Sequence, residues 1–392
     1  MSGVVRGYTI RGLSLAFPLF VQFWLFSADG DGFVEFNYLY GLQNVFAHIL
    51  LPGFAYRSYR AGGGFETGSI LFTTAILAAT LSFIGGFVLV IFGSSFVGAI
   101  ILGSAIAGSV NVKSEELRGR LRIEQSTVLS QVAPWITLML ILLLFPDVDK
   151  TILPVGMYSV AGPIALWSLV REGVFPPSLR EILRDARPGH GFLVTLMTSA
   201  RSNAVAIGAG LLTVPGVDVA LLAVKVNSSM QSAANYGTAG NIRSASAALR
   251  EQPSDKAALL RTSMASTTPI LLGLSTASVL GAAALNWIGL IEDSSAFAVI
   301  TGSIAFALMS WSALIPQIAV NVLTAAHVAT GAAIGLFCLT CLLIAVFAAE
   351  LPALLILVSA LASMAIQRCF LIVQLLRPIE DTLGGDGARA NK

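Results

Sequence analysis

Acidic residues are missing from the middle of every long apolar stretch of this sequence. The chain has 392 residues, and its 21 Asp and Glu fall in connections or near the ends of apolar runs. Charged residues make up 11% of the composition, against about a quarter in a typical soluble domain. Mean hydropathy is strongly positive. The low content of charged residues and the high hydropathy exclude an ordinary soluble protein and indicate a membrane protein.

Signatures of enzymes and metal sites are also missing. The sequence contains no G-x-x-x-x-G-K-[ST] loop for ATP and no H-E-x-x-H motif. Its three cysteines, Cys338, Cys341 and Cys369, lie within apolar runs, which favours plain packing over metal binding. We therefore expect a membrane transporter rather than an enzyme, with no cofactor, no metal site and no nucleic-acid partner.

Long apolar runs are what the sequence has in abundance. Each covers about 18–25 residues, enough to cross roughly 30 Å of hydrocarbon as a helix. The first run ends without the small residues of a cleavage site, so we expect an uncleaved first span. The predicted spans are approximately 10–27, 33–55, 68–91, 94–111, 126–145, 152–170, 191–212, 217–238, 266–288, 295–321, 329–348 and 352–376. The fold class is an all-α polytopic membrane protein with about 12 transmembrane helices.

The distribution of Lys and Arg predicts the topology. If both termini are cytoplasmic, the inner segments hold nearly all the basic residues outside the spans, whereas the outer loops hold only Lys150. This is the bias of the positive-inside rule, and we expect a multi-pass protein of the bacterial inner (plasma) membrane. A basic, proline-containing connection after the sixth span divides the chain into an N-terminal six-helix lobe (1–188) and a C-terminal six-helix lobe (189–377). A cytoplasmic tail (378–392) follows.

Two basic residues, Arg201 and Lys225, lie at about the centres of the seventh and eighth spans. A lone cation at that depth costs roughly 2.5–3.5 kcal/mol on insertion scales and usually faces a water-filled cavity or a partner. With no acid at a similar depth, the expected partner is one anionic substrate that reaches both cations. The alternative is that both side chains point into the bundle and bond to backbone carbonyls.

Other polar residues inside spans extend this candidate site. Asn235 follows Lys225 along one polar face of the eighth span. Asn44 belongs to a polar stripe of the second span, which fits either a cavity lining or hydrogen bonds between helices. Arg368 lies about two turns from the inner end of the last span, where it either lines the cavity or snorkels. The predicted substrate-binding residues are Arg201, Lys225, Asn235, Asn44 and Arg368.

Small and helix-breaking residues predict the packing of some spans. Prolines within spans each remove a helix hydrogen bond and can kink or break the helix. They are Pro18, Pro134, Pro163 and Pro316. In the fourth span, Ser94 with Gly98 and Ser104 with Gly108 form small-xxx-small pairs, which are typical of close helix packing.

The stretch from Val217 to Ile270 resembles the polysaccharide (O-antigen or exopolysaccharide) flippases of the multidrug/oligosaccharidyl-lipid/polysaccharide exporter (MOP) superfamily. Its eighth span ends in QSAANYGTAGNIRSASAALREQ, and DKAALLRTSMASTTPI opens the next span. The segment PQIAVNVLTAAHVATGAAIGL is similar to the connection between their tenth and eleventh spans. In the first half only the layout of the spans matches.

The resemblance implies two six-helix lobes around a central cavity. It also implies export of undecaprenyl-pyrophosphate-linked oligosaccharide by alternating access, for the biosynthesis of cell-surface polysaccharide. The partners would be a lipid-linked anionic oligosaccharide, membrane lipid and polysaccharide polymerase machinery. If the chain works as these flippases do, Arg201 and Lys225 would contact the pyrophosphate or acidic sugars of the substrate.

Three other functions fit parts of the sequence. A cation-coupled multidrug or other small-molecule secondary transporter would favour a buried carboxylate, and only Glu35 and Asp218 near the outer ends are available. A major-facilitator transporter fits the length, but its G-x-x-x-D-[RK]-x-G-R loop is not found. A membrane glycosyltransferase or polymerase typically needs a sizeable extramembrane loop, and the outer loops are short.

Overall fold

The chain is helical throughout the residues that its computed structural model describes. These are residues 3–62, 68–120, 122–146, 148–150, 152–173, 178, 190–211, 214–251 and 255–377. Within these ranges the helices are joined by turns and irregular connections, and there is no strand. The predicted all-α fold of a polytopic membrane protein is confirmed.

The helices of the first half match the predicted spans one to six. Residues 30–50 and 54–62 form two separate helices, so the helix of the second span is followed by a short helix. The helices are α1 (Gly3–Ala28), α2 (Gly30–Leu50), α3 (Phe54–Gly62), α4 (Gly68–Phe92), α5 (Ser95–Gly119), α6 (Ile123–Thr127), α7 (Ala133–Leu144), α8 (Leu153–Gly156) and α9 (Ala161–Glu172).

The helices of the second half match spans seven to twelve and include one further short helix after the eighth. They are α10 (His190–Leu211), α11 (Val217–Gly237), the short α12 (Ala239–Arg250), α13 (Lys256–Trp287), α14 (Asp293–Met309), α15 (Ile315–Val322), α16 (Ala325–Ala348) and α17 (Leu354–Leu376). The predicted tail, 378–392, lies outside the described residues.

Seven helical segments of the described chain are long and apolar enough to cross a membrane. They are Ile70–Phe92, Ser95–Gly119, Ile123–Leu144, Lys256–Trp287, Asp293–Val322, Ala325–Ala348 and Leu354–Leu376. Helices α2, α10 and α11 have 21 or 22 residues but fall outside this set, because polar residues lower their hydropathy. The same three helices line the cavity described below, which explains their polarity.

Three of the four predicted proline positions interrupt a helix. Pro134 follows a π-helical turn (Val128–Val132), and Pro316 follows a 3₁₀ turn (Ser310–Ser312). Pro163 is the third residue of α9, just after the turn that separates α8 from α9. Each proline lacks the N–H that a continuing helix needs, so the helix restarts there. Pro18 instead lies within the continuous α1.

Small residues allow α4 and α5 to pack in close contact. A Cβ atom added to Gly98 would lie 2.6 Å from the backbone nitrogen of Val90, and one added to Gly86 would lie 2.8 Å from that of Leu102. Ser104, in the second predicted pair, donates to the carbonyl of Gln43 at 3.0 Å. The interpretation of these residues as packing sites is confirmed for Gly98 and Ser104, whereas Ser94 is exposed and its hydroxyl caps α5 by accepting from the Val97 N–H.

The two halves of the chain meet along two pairs of helices. Helix α2 packs along α10, and α1 packs against α11. Gly41 of α2 faces Asn203 and Ile207 of α10, while Gly210 of α10 faces the Tyr38 ring. These glycines let the helices of opposite halves approach closely, and the space between the two pairs is the central cavity.

Glu116 is a buried acid that lies beyond the predicted end of the fourth span. Helix α5 continues to Gly119, about two turns beyond the predicted end of the fourth span at 111. Glu116 on this extension is 0% exposed and pairs with Lys113 at 2.8 Å and with Arg120. Lys113 also contacts Glu172 at 2.8 Å, so this ionic cluster ties α5 to α9.

Candidate functional site

A cavity of about 480 Å³ lies between the two halves of the chain. Helices α1, α2, α3, α5 and α7 of the first half contribute to its lining, together with α10, α11 and α15 of the second. Most of the lining side chains are polar, mainly serine, asparagine, glutamine and tyrosine. A volume of 300–1,000 Å³ is typical of sites for small molecules, so the cavity is large enough for a ligand or head group.

Lys225 of α11 points into this cavity beside a group of aromatic rings. Its Nζ lies 5.6 Å from the centroid of the Tyr40 ring. Tyr40 in turn contacts Phe36 and Trp135, with ring centroids 6.0 and 5.9 Å apart. A cation over an aromatic face gains about 0.5–2 kcal/mol but is not neutralised. Lys225 has no hydrogen bond or ion pair with any residue that the structure describes, so its charge is left for a ligand.

Asn44 and a set of hydroxyl groups complete the middle of the cavity. Asn44 is half-buried and donates to the carbonyl of Tyr40 at 2.9 Å, which holds its amide at the lining. Hydroxyls from α10 and α11 line the facing wall. They belong to Thr195, Thr198, Ser199, Ser202, Ser228, Ser229 and Ser232. These groups supply the hydrogen-bond donors and acceptors that a polar, hydroxylated ligand requires.

Arg201 is not among the residues that line the cavity. Ser202 and Thr198 of the same helix are, and Arg201 lies beside them on the helix, about 100° from Ser202 and about 60° from Thr198. Its Cδ lies against Gly335 of α16, 3.0 Å from where a Cβ of that glycine would lie. The Arg201 side chain therefore packs against α16 and is not part of the lining that contains Lys225, so its role in binding the same ligand stays a prediction.

Arg368 neither snorkels nor lines the cavity. It is 3% exposed, and its Nη1 donates to the carbonyl of Met309 at 2.7 Å and to the Ser312 hydroxyl at 3.0 Å. Its Nη2 donates to the Gln231 side chain at 2.7 Å. All three acceptors are neutral. Arg368 therefore forms its hydrogen bonds inside the helix bundle. This geometry does not support its predicted role in binding substrate at the cavity.

Asn235 lies in α11, but its side chain is outside the described residues. Its predicted role in binding stays a prediction.

A set of contacts between the two halves lies beside the cavity, and we call it the inner latch because the predicted topology would place it on the inner side. Tyr59 of α3 donates to Asn321 of α15 at 2.6 Å, and Arg118 of α5 donates to Gln317 of α15 at 2.7 Å. Burial raises the pKa of the Tyr59 hydroxyl, which keeps it protonated as a donor. Arg118 also pairs with Glu115 at 3.2 Å.

Sequence reasoning missed Glu115 and Arg118 because it ended the fourth span too early. Asn111, Glu115 and Arg118 recur at helical spacing and all line the cavity. That spacing is the signal of a polar face on a continuing helix. Tyr40 was also missed, although it lies inside the predicted second span, four residues before Asn44 on the same stripe.

The cysteines are free, and two of them are not packed. Cys338 is half-buried, whereas Cys341 and Cys369 are exposed on helix surfaces, contrary to the packing interpretation. Within the described ranges no group of three His, Cys, Asp or Glu side chains is placed to hold a metal ion.

Solved structures of membrane transporters share this architecture. The inward-facing conformation of a multidrug resistance MATE family transporter of the MOP superfamily matches with a TM-score of 0.59 and 14% identity, over 94% of each chain. An outward-facing conformation from that family matches with a TM-score of 0.52 and 14% identity, over 99% of this chain and 94% of the other.

A third match is described in terms of its binding pocket. A MOP superfamily transporter from Pyrococcus furiosus has a TM-score of 0.51 and 12% identity, over 94% of this chain and 93% of the other. A reverse polarity of its pocket is described as suggesting a different function. No protein-family model and no curated protein matches the sequence. At 12–14% identity these likenesses show a fold, which is that of the MATE transporters of the MOP superfamily.

Proposed function

We propose that this chain is an alternating-access exporter that flips undecaprenyl-pyrophosphate-linked oligosaccharide across the membrane for polysaccharide biosynthesis. The observation that carries the proposal is Lys225, a cation inside a polar cavity with no acidic partner among the described residues. A buried cation of this kind is expected to face a partner of opposite charge, which a pyrophosphate supplies.

The rest of the lining fits a sugar attached to that pyrophosphate. Glu115 is the single carboxylate among the described lining residues, and it is held by Arg118 at the inner latch. The middle of the cavity therefore offers one positive charge, neutral amides and hydroxyls. Neutral donors and acceptors suit sugar hydroxyls, and the lone cation suits the phosphates.

The remaining parts of the proposal follow from the predicted topology. The chain would form two six-helix lobes, 1–188 and 189–377, in the bacterial inner membrane with both termini cytoplasmic. The basic inner connections support this orientation. Its partners would be the lipid-linked anionic oligosaccharide, membrane lipid and the polysaccharide polymerase machinery that uses the exported product.

A cation-coupled drug exporter is the second candidate, because two of the matched structures are multidrug resistance transporters. Export of cationic drugs needs an acid in the cavity to attract them. Glu115 is engaged with Arg118, and Lys225 would repel a cation. The electrostatics of the cavity therefore favour the anionic substrate.

A transport assay with two substrates separates these candidates. The purified chain is reconstituted into proteoliposomes that contain a fluorescent undecaprenyl-pyrophosphate-linked sugar, and loss of the probe's accessibility to an external quencher is followed over time. A parallel assay follows ethidium uptake under a proton or sodium gradient. We expect movement of the lipid-linked sugar and no transport of ethidium. Ethidium transport without movement of the sugar would replace the flippase by the drug exporter.

Opening of the cavity at the inner end should be controlled by the inner latch. Tyr59→Phe removes the hydrogen bond to Asn321, and a net hydrogen bond contributes about 0.5–1.5 kcal/mol. We therefore expect roughly a 2- to 12-fold shift towards the state in which the halves separate there. The measurement is the labelling rate of a cysteine introduced at Ser130 of the cavity lining, in a chain without its own cysteines.

Tyr56→Phe is the matched control for this measurement. Tyr56 lies on the same helix and lines the same cavity, but its hydroxyl has no hydrogen bond to any described residue. Its replacement should leave the labelling rate unchanged. Equal rates in Tyr59→Phe and the unsubstituted chain would show that the latch does not hold the two halves together.

A further inference from the structure

The contact between Lys225 and Tyr40 joins the two halves of the chain across the central cavity. Tyr40 belongs to α2 of the first half, and Lys225 belongs to α11 of the second half, with its Nζ 5.6 Å from the ring centroid. We propose that Tyr40 is a positioning residue whose ring holds the ammonium of Lys225 while the cavity closes without substrate. This role rests on the proposed function, because an anion must take the place of the ring in the loaded carrier.

Contacts between the two halves lie on either side of this pair along α2. At the first residue of α2, a Cβ added to Gly30 would lie 3.0 Å from Oδ2 of Asp218, which is in the first turn of α11. After the other end of α2 the chain continues into α3, whose Tyr59 belongs to the inner latch. Tyr40 is about 15 Å along α2 from Gly30, at 1.5 Å per residue. The cation and the ring therefore meet between two contacts that close the halves together.

Closing the cavity around Lys225 makes its charge unfavourable. An ammonium group that leaves water for a low-dielectric interior needs a counter-charge or another attractive group. In the loaded carrier the anion supplies the counter-charge. In the empty carrier the described residues offer Lys225 no hydrogen bond or ion pair, and the electron-rich face of Tyr40 attracts it instead. The ring thus lowers the free energy of the closed, empty state through which the carrier returns for its next substrate.

The Tyr40 ring is fixed by two neighbouring rings. Phe36, which is 0% exposed, stacks with it at a centroid distance of 6.0 Å and an interplanar angle of 10°. Trp135 of α7 is 6% exposed and contacts it at 5.9 Å. Phe36 and Trp135 also contact each other at 6.4 Å. The ring is therefore held within the first half, whereas a lysine ammonium moves on a flexible four-carbon stem.

The ring and the anion compete for the same ammonium group. The face of an aromatic ring carries partial negative charge, so it attracts the cation and does not attract a phosphate. A bound phosphate forms charge-assisted hydrogen bonds that are stronger than the contact with the ring. Substrate binding therefore draws Lys225 from Tyr40, and substrate release returns it.

Net movement and exchange of the lipid-linked sugar separate the return of the empty carrier from the loaded step. The proteoliposome assay is run without a membrane potential and with saturating substrate. Substrate in one leaflet only requires the carrier to return empty, whereas substrate in both leaflets, with labelled probe in one, lets it return loaded. Tyr40→Leu should slow net movement about 5-fold, within the range of a cation–π contact, and leave exchange nearly unchanged. Tyr40→Phe keeps the ring and should behave normally in both arms.

Binding of inorganic pyrophosphate gives a second measurement, one that does not depend on transport. Isothermal titration calorimetry is carried out on the purified, full-length chain in detergent. Tyr40→Leu should bind pyrophosphate about 2- to 5-fold more tightly, because the competing contact with the ring is gone. Damage to the fold would weaken binding instead. Lys225→Gln should weaken it by about 10-fold or more, because it removes the charged donor.

The two measurements distinguish failure of this role from failure of the proposed function. The role of the ring is overturned if Tyr40→Leu moves the sugar at the unsubstituted net rate, or slows net movement and exchange equally. It is also overturned if Tyr40→Leu does not bind pyrophosphate more tightly than the unsubstituted chain. The flippase function fails separately if the unsubstituted chain moves no lipid-linked sugar. Tighter pyrophosphate binding by Tyr40→Leu would then still support the role of the ring, for another phosphate-bearing substrate.

Discussion

Lys225→Ala is expected to lower the rate of lipid-linked sugar movement by roughly 10- to 100-fold while the protein still inserts and folds. A hydrogen bond to a charged group contributes about 1.5–3 kcal/mol, which corresponds to that range of rates. The loss should be large because Lys225 is the only cation in the middle of the described lining, and Arg118 at the latch is engaged with Glu115 and Gln317. Initial rates in the proteoliposome assay, at equal protein content, measure the effect.

Two further variants make this result specific. Lys225→Arg keeps the positive charge over the Tyr40 ring and should retain a substantial part of the activity. Lys256→Ala removes a lysine outside the cavity, one that donates to the carbonyl of Arg377, and should transport normally. Full activity of Lys225→Ala would contradict the role of an anionic substrate in this cavity.

Glu116→Ala is expected to cost about 3 kcal/mol of stability, because it removes a buried acid and leaves Lys113 and Arg120 to share Glu172. Glu116 is 0% exposed and Lys113 is 3% exposed, so neither charge can be solvated by water when the other is removed. After the substitution Lys113 retains only Glu172. The free energy of unfolding in detergent, from denaturant titration, measures the loss.

The neighbouring Glu115 supplies the control for this prediction. Its side chain is 31% exposed and pairs with Arg118. Because solvent-exposed ion pairs contribute little, Glu115→Ala should lower the free energy of unfolding by about 1 kcal/mol or less. A double substitution, Lys113→Met with Glu116→Met, should recover much of the stability, because apolar side chains of similar volume carry no desolvation penalty. Equal losses for Glu115→Ala and Glu116→Ala would show that burial of the pair does not determine its contribution.

The positions of the membrane helices could be predicted from the sequence because they depend on the length of apolar runs. The helices coincide with the predicted spans, and the breaks at Pro134, Pro163 and Pro316 follow from the missing N–H of proline. Lys225 and Asn44 were also expected at a cavity, since polar side chains inside a span need a polar environment.

The direction of individual side chains could not be predicted in the same way. Arg201 and Lys225 have similar depths in adjacent spans, but depth does not determine how each helix is rotated against its neighbours. That rotation is set by contacts such as those of Gly335 with Arg201 and of Gly41 with Asn203, which come from distant parts of the chain. The burial of Glu116 was missed because the fourth span was predicted to end before this charged residue, whereas the helix continues through it.

In the proposed transport cycle, the unpaired charge of Lys225 would make the empty carrier sensitive to the membrane voltage. A potential of 100 mV, negative inside, acts with about 2.3 kcal/mol on each elementary charge that crosses the whole field. It draws the empty, positively charged cavity towards the inner side. In the proposed cycle a bound pyrophosphate would reverse the net sign, so the same field would drive the loaded cavity outwards. Both halves of the transport cycle would then run on voltage alone, without a coupling ion.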